Sequence, residues 1–191
     1  MMSKKYEPMV YKNLTIGDLD NKERFFEDCE FVNCDFSYAD LSQKVFVNCV
    51  MDTCNLSLTK VVNTGFQNVL FRECKITGVN FSSSKSFSFA VSFENCTLDY
   101  SIFHKLRLKE TRFTGCSLVE SDFTEADLSK SAFLNCDLNR TVFNRTILKE
   151  VDFTTANNFI IDPESNTITK SKFNYNSLSN LLTKYNLVIE R

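Results

Sequence analysis

Large apolar side chains recur in this chain every fifth residue, a period that belongs neither to a helix (3.6) nor to a simple strand (2). The first run is Phe26, Phe31, Phe36, Leu41, Phe46, Met51, Leu56, Val61, Phe66, Phe71, Ile76 and Phe81. After a break it resumes two residues out of phase as Phe93, Leu98, Phe103, Leu108, Phe113, Leu118, Phe123, Leu128, Phe133, Leu138, Phe143, Leu148 and Phe153. Of these 25 centres, 14 are Phe and 8 are Leu, and the slot between the runs falls on Ser88. With each centre written i, position i−2 is small in nearly every case, and all eight cysteines stand there: Cys29, Cys34, Cys49, Cys54, Cys74, Cys96, Cys116 and Cys136. Position i−1 is often Asp or Asn. Charge tests the pattern. From residue 24 to 153 there are 31 charged side chains, and only Arg24 and Lys44 occupy i or i−2. Burial of unpaired charge is costly, so i and i−2 point inward and the other three positions face water.

Five residues cannot enclose a core, so the units must coil and stack. The size of a coil follows from residue identity. Cys34, Cys54, Cys74, Cys96, Cys116 and Cys136 are 20 apart, with one step of 22 across the break. Phe31, Met51, Phe71, Phe93, Phe113, Phe133 and Phe153 keep the same spacing. Four repeats per turn place these residues in columns inside a square prism filled by side chains. Phe31, Phe71, Phe93, Phe113, Phe133 and Phe153, with the six spaced cysteines, are the expected structural core.

Ser121-Asp122-Phe123-Thr124-Glu125, Ala126-Asp127-Leu128-Ser129-Lys130 and Cys136-Asp137-Leu138-Asn139-Arg140 are near-ideal copies of the unit A(D/N)LXX. On these residues the chain resembles the pentapeptide-repeat family over about 24–155. The resemblance implies an all-β solenoid: a right-handed quadrilateral parallel β-helix. Coils rising about 4.8 Å each would then build a rod roughly 30 Å tall. Residues 1–23 are expected to cap it, with Tyr11, Leu14, Ile16 and Leu19 covering the first coil. A two-residue bulge is expected within 82–92, on the face holding Phe26, Phe46 and Phe66, where Lys44 must snorkel or distort its coil. Residues 156–191 form a C-terminal segment. Within it Phe159–Thr169 reads as strand, turn, strand, and Ser177–Tyr185 as a short helix capped by Ser177 or Asn176.

No catalytic or metal site is legible. The one histidine, His104, falls at i+1 and is expected to face solvent. There is no CxxC, phosphate loop or nucleophile elbow, so no cofactor and no metal are expected. The cysteines read as buried fillers in a reducing compartment. No stretch approaches 18 apolar residues, and no apolar run follows Lys4 and Lys5, so a cytoplasmic protein without a membrane segment is expected.

Charge is uneven. Asp18 to Asp52 carries nine acidic and three basic side chains, net −6, against −2 for the whole chain. One end of the rod is therefore acidic, and Glu27, Asp28, Glu30, Asp35, Asp40 and Asp52, with Lys85 in the bulge, are candidate partner contacts. The C-terminal segment resembles that of Qnr-type members. Its apolar residues either plug the last coil or meet a second copy; the resemblance implies the second, a homodimer with Leu178, Leu181, Leu182, Tyr185, Leu187 and Ile189 as the candidate interface. It also implies a non-enzymatic DNA mimic that binds DNA gyrase or topoisomerase IV and confers quinolone resistance, without binding nucleic acid itself. The alternative is a structural or interaction scaffold with another protein partner. An acidic stripe along one face favours the first; mixed charge on every face favours the second.

Overall fold

The structure is a computed structural model that describes residues 9–18 and 23–190. Leu19 of the expected N-terminal cover, and Asp20 and Lys22 of the acidic segment, lie outside the described residues. The chain winds as a right-handed, four-sided parallel β-helix of about eight turns. Its strands are β1 (Met9–Lys12), β2 (Phe25–Glu27), β3 (Cys29–Val32), β4 (Val45–Val47), β5 (Val50–Asp52), β6 (Gly65–Arg72), β7 (Ala90–Glu94), β8 (Arg112–Thr114), β9 (Ala132–Leu134), β10 (Asp152–Phe153) and β11 (Lys172–Phe173). All pair in parallel, and β3 to β5 sets Phe31 against Met51, one coil of 20 residues on.

Each position in the repeat has a physical reason. The centres are buried and stack down each face: Phe93 on Phe113 at 5.2 Å and Phe113 on Phe133 at 4.7 Å, near-parallel, with Phe123 edge-on to Phe133 at 5.8 Å. Position i−2 also points inward, and where it carries a hydroxyl or thiol that group commonly donates to the carbonyl of a centre in the coil before. Thr59 Oγ1 reaches the Phe36 carbonyl at 2.7 Å, Ser121 Oγ that of Leu98 at 2.8 Å, and Cys54 Sγ that of Phe31 at 3.3 Å. No buried side-chain polar atom among the described residues lacks a partner. Position i−1 is Asp or Asn because its oxygen accepts from the backbone N–H of i+1, as Asp35 does from Ser37 (3.0 Å) and Asp122 from Thr124 (2.8 Å). Position i+2 turns the corner in the left-handed region at most coils, as at Asn13 (φ 55°) and Lys170 (φ 60°), although Ser83, Thr155 and Ser165 do not. Asn suits that conformation, and stacked corner amides bond one another: Asn33 donates to Asn13 at 2.8 Å and Asn68 to Asn48 at 3.0 Å.

Cys54 and Cys74 lie one above the other, the backbone N–H of Cys54 meeting Cys74 Sγ at 3.4 Å. All eight cysteines are free and buried. Burial raises the thiol pKa of Cys29 and Cys34 and pushes Cys49 up to about 11.

The winding runs further at both ends than residues 24–155. Met9–Lys12 pairs in register with Cys29–Val32, and Tyr11 stacks on Phe31 at 4.8 Å, so these residues form coil as well as cover. At the other end Thr167 bridges to Ile147, and Lys172–Phe173 pairs with β10. Phe159–Thr169 is therefore coil and not a strand, turn and strand of its own. The C-terminal helix is two 3-10 turns, Tyr175–Leu181 and Thr183–Tyr185, and its cap is Asn174, whose side chain accepts from the Asn176 N–H.

The break is not a simple insertion. Phe66 to the buried Phe89 is 23 residues, three above a full coil, while Phe89 to Phe93 is four, one below a repeat. Three residues are added before Phe89 and one is deleted after it. Gln67 pairs with Ala90 and Val69 with Val91, which leaves Asn68 without a partner in the next coil. The slot expected at Ser88 is filled by Phe89, whereas Phe87 is 99% exposed on the 3-10 turn Ser86–Ser88. On the same face Lys44 is buried just before β4, which keeps its register with β2 and β6: Nζ donates to the Glu23 carbonyl at 2.7 Å and lies 5.7 Å from the Phe26 ring centre. Arg24 turns outward to bond Gln43 at 3.0 Å.

Candidate functional site: the acidic first coils

The inward columns are buried in the core, so the surface this molecule offers a partner is its outer columns. The acids of the first coils sit there. Glu27 ends β2 and Asp28 follows it at a corner (φ 52°); both are exposed. Glu30 and Asp52 are neighbours on the Phe31 face. Asp35 is on the Phe36 face and Asp40 on the Leu41 face, both exposed. The acids thus ring the first coils and do not line one face. Lys85 is exposed on the Phe26 face, in the added residues, with its N–H donating to the Thr64 carbonyl at 2.9 Å.

Two of these acids share a cation. Arg72 Nη2 is 2.6 Å from Asp52 and 3.9 Å from Glu30, and the bond from Arg72 holds the Asp52 carboxyl below its ordinary pKa. Among the described residues Glu27, Asp28, Asp35 and Asp40 make no ion pair. Bonds from Ser37 and Ser42 hold Asp35 and Asp40 below the usual range, so both are ionised at neutral pH.

The later coils differ. Their charges pair across successive coils, mostly at a separation of 20: Glu120 with Arg140 (3.1 Å), Glu125 with both Arg145 (2.6 Å) and Lys105 (3.5 Å), and Glu110 with Lys130 (3.9 Å). These pairs escape a linear reading, yet the signal is present in the sequence once charges are compared 20 apart.

At the C-terminal end Lys184 bridges Asp162 (2.7 Å) and Glu164 (2.6 Å), and Tyr185 Oη donates to Glu164 at 2.5 Å. This latch lays the last residues across the final coil. Leu181 packs against the core, while Leu178, Leu182, Tyr185, Leu187 and Ile189 are exposed. His104 is half-buried at its i+1 position. Among the described residues no group of three or more His, Cys, Asp or Glu is placed to hold a metal ion, and no helix is long and apolar enough to cross a membrane.

The family model described as "Pentapeptide repeat region" matches residues 25–103 and 86–181, most of the chain. The chain belongs to the pentapeptide-repeat family. Its fold is similar to that of QnrB1, a plasmid-mediated fluoroquinolone resistance protein. A trypsin-treated variant of QnrB1 superposes with a TM-score of 0.64 at 18% identity, covering 96% of this chain and 98% of that one. Full-length QnrB1 gives 0.58 at 19% identity, covering 94% and 98%. No curated protein sequence matches the chain.

Proposed function

We propose that this pentapeptide-repeat rod is a non-enzymatic, cytoplasmic binding protein that occupies the DNA-binding surface of a type II topoisomerase, DNA gyrase or topoisomerase IV, and so protects it from quinolones. The observation that supports this reading is the ring of acids, without an ion pair among the described residues, at one end of a rigid rod whose fold is similar to that of QnrB1. Glu27, Asp28, Asp35 and Asp40 offer fixed negative charge to a basic surface, with Glu30 and Asp52 behind them and Lys85 on the bulge as a further contact. Such charges steer association and fix its register more than they add affinity, so binding weakens steeply with salt. The exposed Leu178, Leu182, Tyr185, Leu187 and Ile189, with Leu181, would join two rods end to end as a homodimer.

The test is a gyrase supercoiling assay with and without ciprofloxacin. The wild-type rod inhibits supercoiling or rescues the drug-treated enzyme at micromolar concentration. The variant Glu27→Gln/Asp28→Asn/Asp35→Asn/Asp40→Asn does neither, although asparagine preserves the turn-capping oxygens. No inhibition and no rescue by the wild type removes the topoisomerase reading.

One observation favours a second reading. The coils after residue 100 neutralise themselves through their cross-coil pairs, so the acid does not continue as a stripe along the rod. An interaction scaffold that holds a different basic partner at its acidic end fits that distribution. It predicts an inert protein in the gyrase assay and a salt-sensitive partner lost on the same four substitutions.

A further inference from the structure

The last coil runs through positions 158, 163, 168 and 173, and its first rung, on the Phe36 face, is left open. On the Phe36 face each coil hands two hydrogen bonds to the next. The Asp137 N–H donates to the Cys116 carbonyl at 3.0 Å, and the Leu118 N–H donates to the Asp137 carbonyl at 2.9 Å. One coil on, the Asn157 N–H donates to Cys136 at 2.9 Å and the Leu138 N–H to Asn157 at 3.0 Å. By the same geometry a further coil would use the Ala156 carbonyl and the Asn158 N–H. None arrives. After β11 the chain leaves the spiral at Asn174 and crosses the end as 3-10 turns, tied down where the Ile161 N–H meets the Asn180 carbonyl at 3.4 Å. Among the described residues no hydrogen bond reaches the Ala156 carbonyl or the Asn158 N–H.

Over this open edge lies a cleft of about 450 Å³, bounded by residues 154–158 of the last coil and by Asn174, Asn176, Ser177 and Asn180 opposite. Its lining has no ionisable side chain, and Ala156 is its one apolar residue. An ion finds no counter-charge there, and a lipid or drug-like molecule finds no apolar wall. A side-chain amide presents N–H donors and a carbonyl acceptor, the kinds of group that pair with a peptide unit's own carbonyl and N–H. An open parallel edge faced by amides matches extended main chain, which adds to sheet edges through backbone hydrogen bonds. The chain's own tail is held elsewhere, since Lys184 and Tyr185 fasten it to Asp162 and Glu164. A saccharide would find no aromatic platform in the lining.

We propose that this cleft is a docking slot for an extended, uncharged peptide segment of a partner protein, which adds as the next parallel rung on the edge at Ala156–Asn158. The proposal does not depend on the topoisomerase reading. It is tested on the full-length, ¹⁵N-labelled protein. The probe is the capped hexapeptide Thr-Gly-Ala-Ser-Leu-Val, residues 114–119 with alanine for Cys116, a neutral stretch that forms such a rung within this rod. Saturable amide shifts confined to 154–158 and 174–180 are expected. N-methylation of the probe's serine nitrogen, which removes the donor to Ala156, lowers affinity about tenfold. Asn176→Ala/Asn180→Ala weakens binding several-fold without moving the melting temperature. The proposal is overturned by an absence of saturable shifts at millimolar probe, by shifts centred elsewhere, or by equal affinity of the methylated probe. Maltotriose producing the same shifts would assign the cleft to saccharide instead. Shifts at residues 154–158 that follow protein concentration alone would assign the edge to a second copy.

Discussion

Phe113→Ala is the perturbation most sensitive to how the interior is built. Phe113 is fully buried. Its ring is stacked between Phe93 at 5.2 Å and Phe133 at 4.7 Å, and edge-on to Phe103 at 6.2 Å and Phe123 at 5.9 Å. Truncating a buried Phe to Ala costs about 3–5 kcal/mol, more where the site cannot collapse. Here the backbone above and below is fixed by ladder bonds one coil away on each side, so the cavity stays open. The two stacked pairs add about 0.5–1.5 kcal/mol each beyond area burial. A loss near the top of the range, about 5 kcal/mol, is expected. Phe113→Leu fills a slot of the kind that Leu108 and Leu118 fill on adjoining faces, and costs about 1.5 kcal/mol. Leu134→Ala, at an outward i+1 position, costs under about 1 kcal/mol. Guanidinium unfolding followed by circular dichroism, with unchanged m, reads all three. A Phe113→Ala loss below about 2 kcal/mol, or one matched by Leu134→Ala, would refute the packed square interior.

Three further outcomes follow from the same geometry. Cys116→Ser stays within about 1 kcal/mol of wild type in the same unfolding assay, because Ser101, Ser121 and Ser131 already donate from this position to a carbonyl one coil away; in the wild type no thiol reacts with Ellman's reagent before unfolding, and eight react after it. Asn33→Ala lowers stability by about 1–2 kcal/mol, since alanine at φ 53° loses the tolerance of asparagine for the left-handed corner as well as the bond to Asn13. Carboxyls depressed in the folded state, as at Asp35, Asp40 and Asp52, favour folding when ionised; their contribution is complete above the ordinary carboxylate pKa of about 4 and is lost as pH falls through the folded values. The melting temperature therefore drops on acidification below about pH 4, and Asp52→Asn reduces the drop. A melting temperature that rises on acidification contradicts this.

The period of five was legible because each inward charge is costly enough to be excluded, which leaves a clean record in the positions of charges. The ends were less legible for a related reason. Tyr11 and Ile16 are in phase with the first run, and Ile168 and Phe173 with the second, but Asn21, Asn158 and Pro163 occupy the slots between. A polar residue in a core slot reads as the end of the repeat. In the last coil Phe159, one position from its slot, turns in beside Asn158 and keeps the core closed. The break shows the limit of counting. A net excess of two is visible in the sequence, but which of Phe87 and Phe89 turns inward depends on packing against Phe66 and Phe81, at 5.9 and 5.6 Å from Phe89. In the candidate site, the cluster of acids is visible in one dimension. Which of them are neutralised is not, because Arg72 reaches Asp52 only by passing once around the rod.

One turn of the rod takes 20 residues, and stacked turns run parallel and in register. Backbone NOEs on the perdeuterated protein test it directly. Long-range amide contacts clustered at sequence separations of 19–21 are expected, widening to 22–23 for pairs that span residues 82–92. Long-range contacts scattered without that periodicity, or running antiparallel between neighbouring segments, would contradict it.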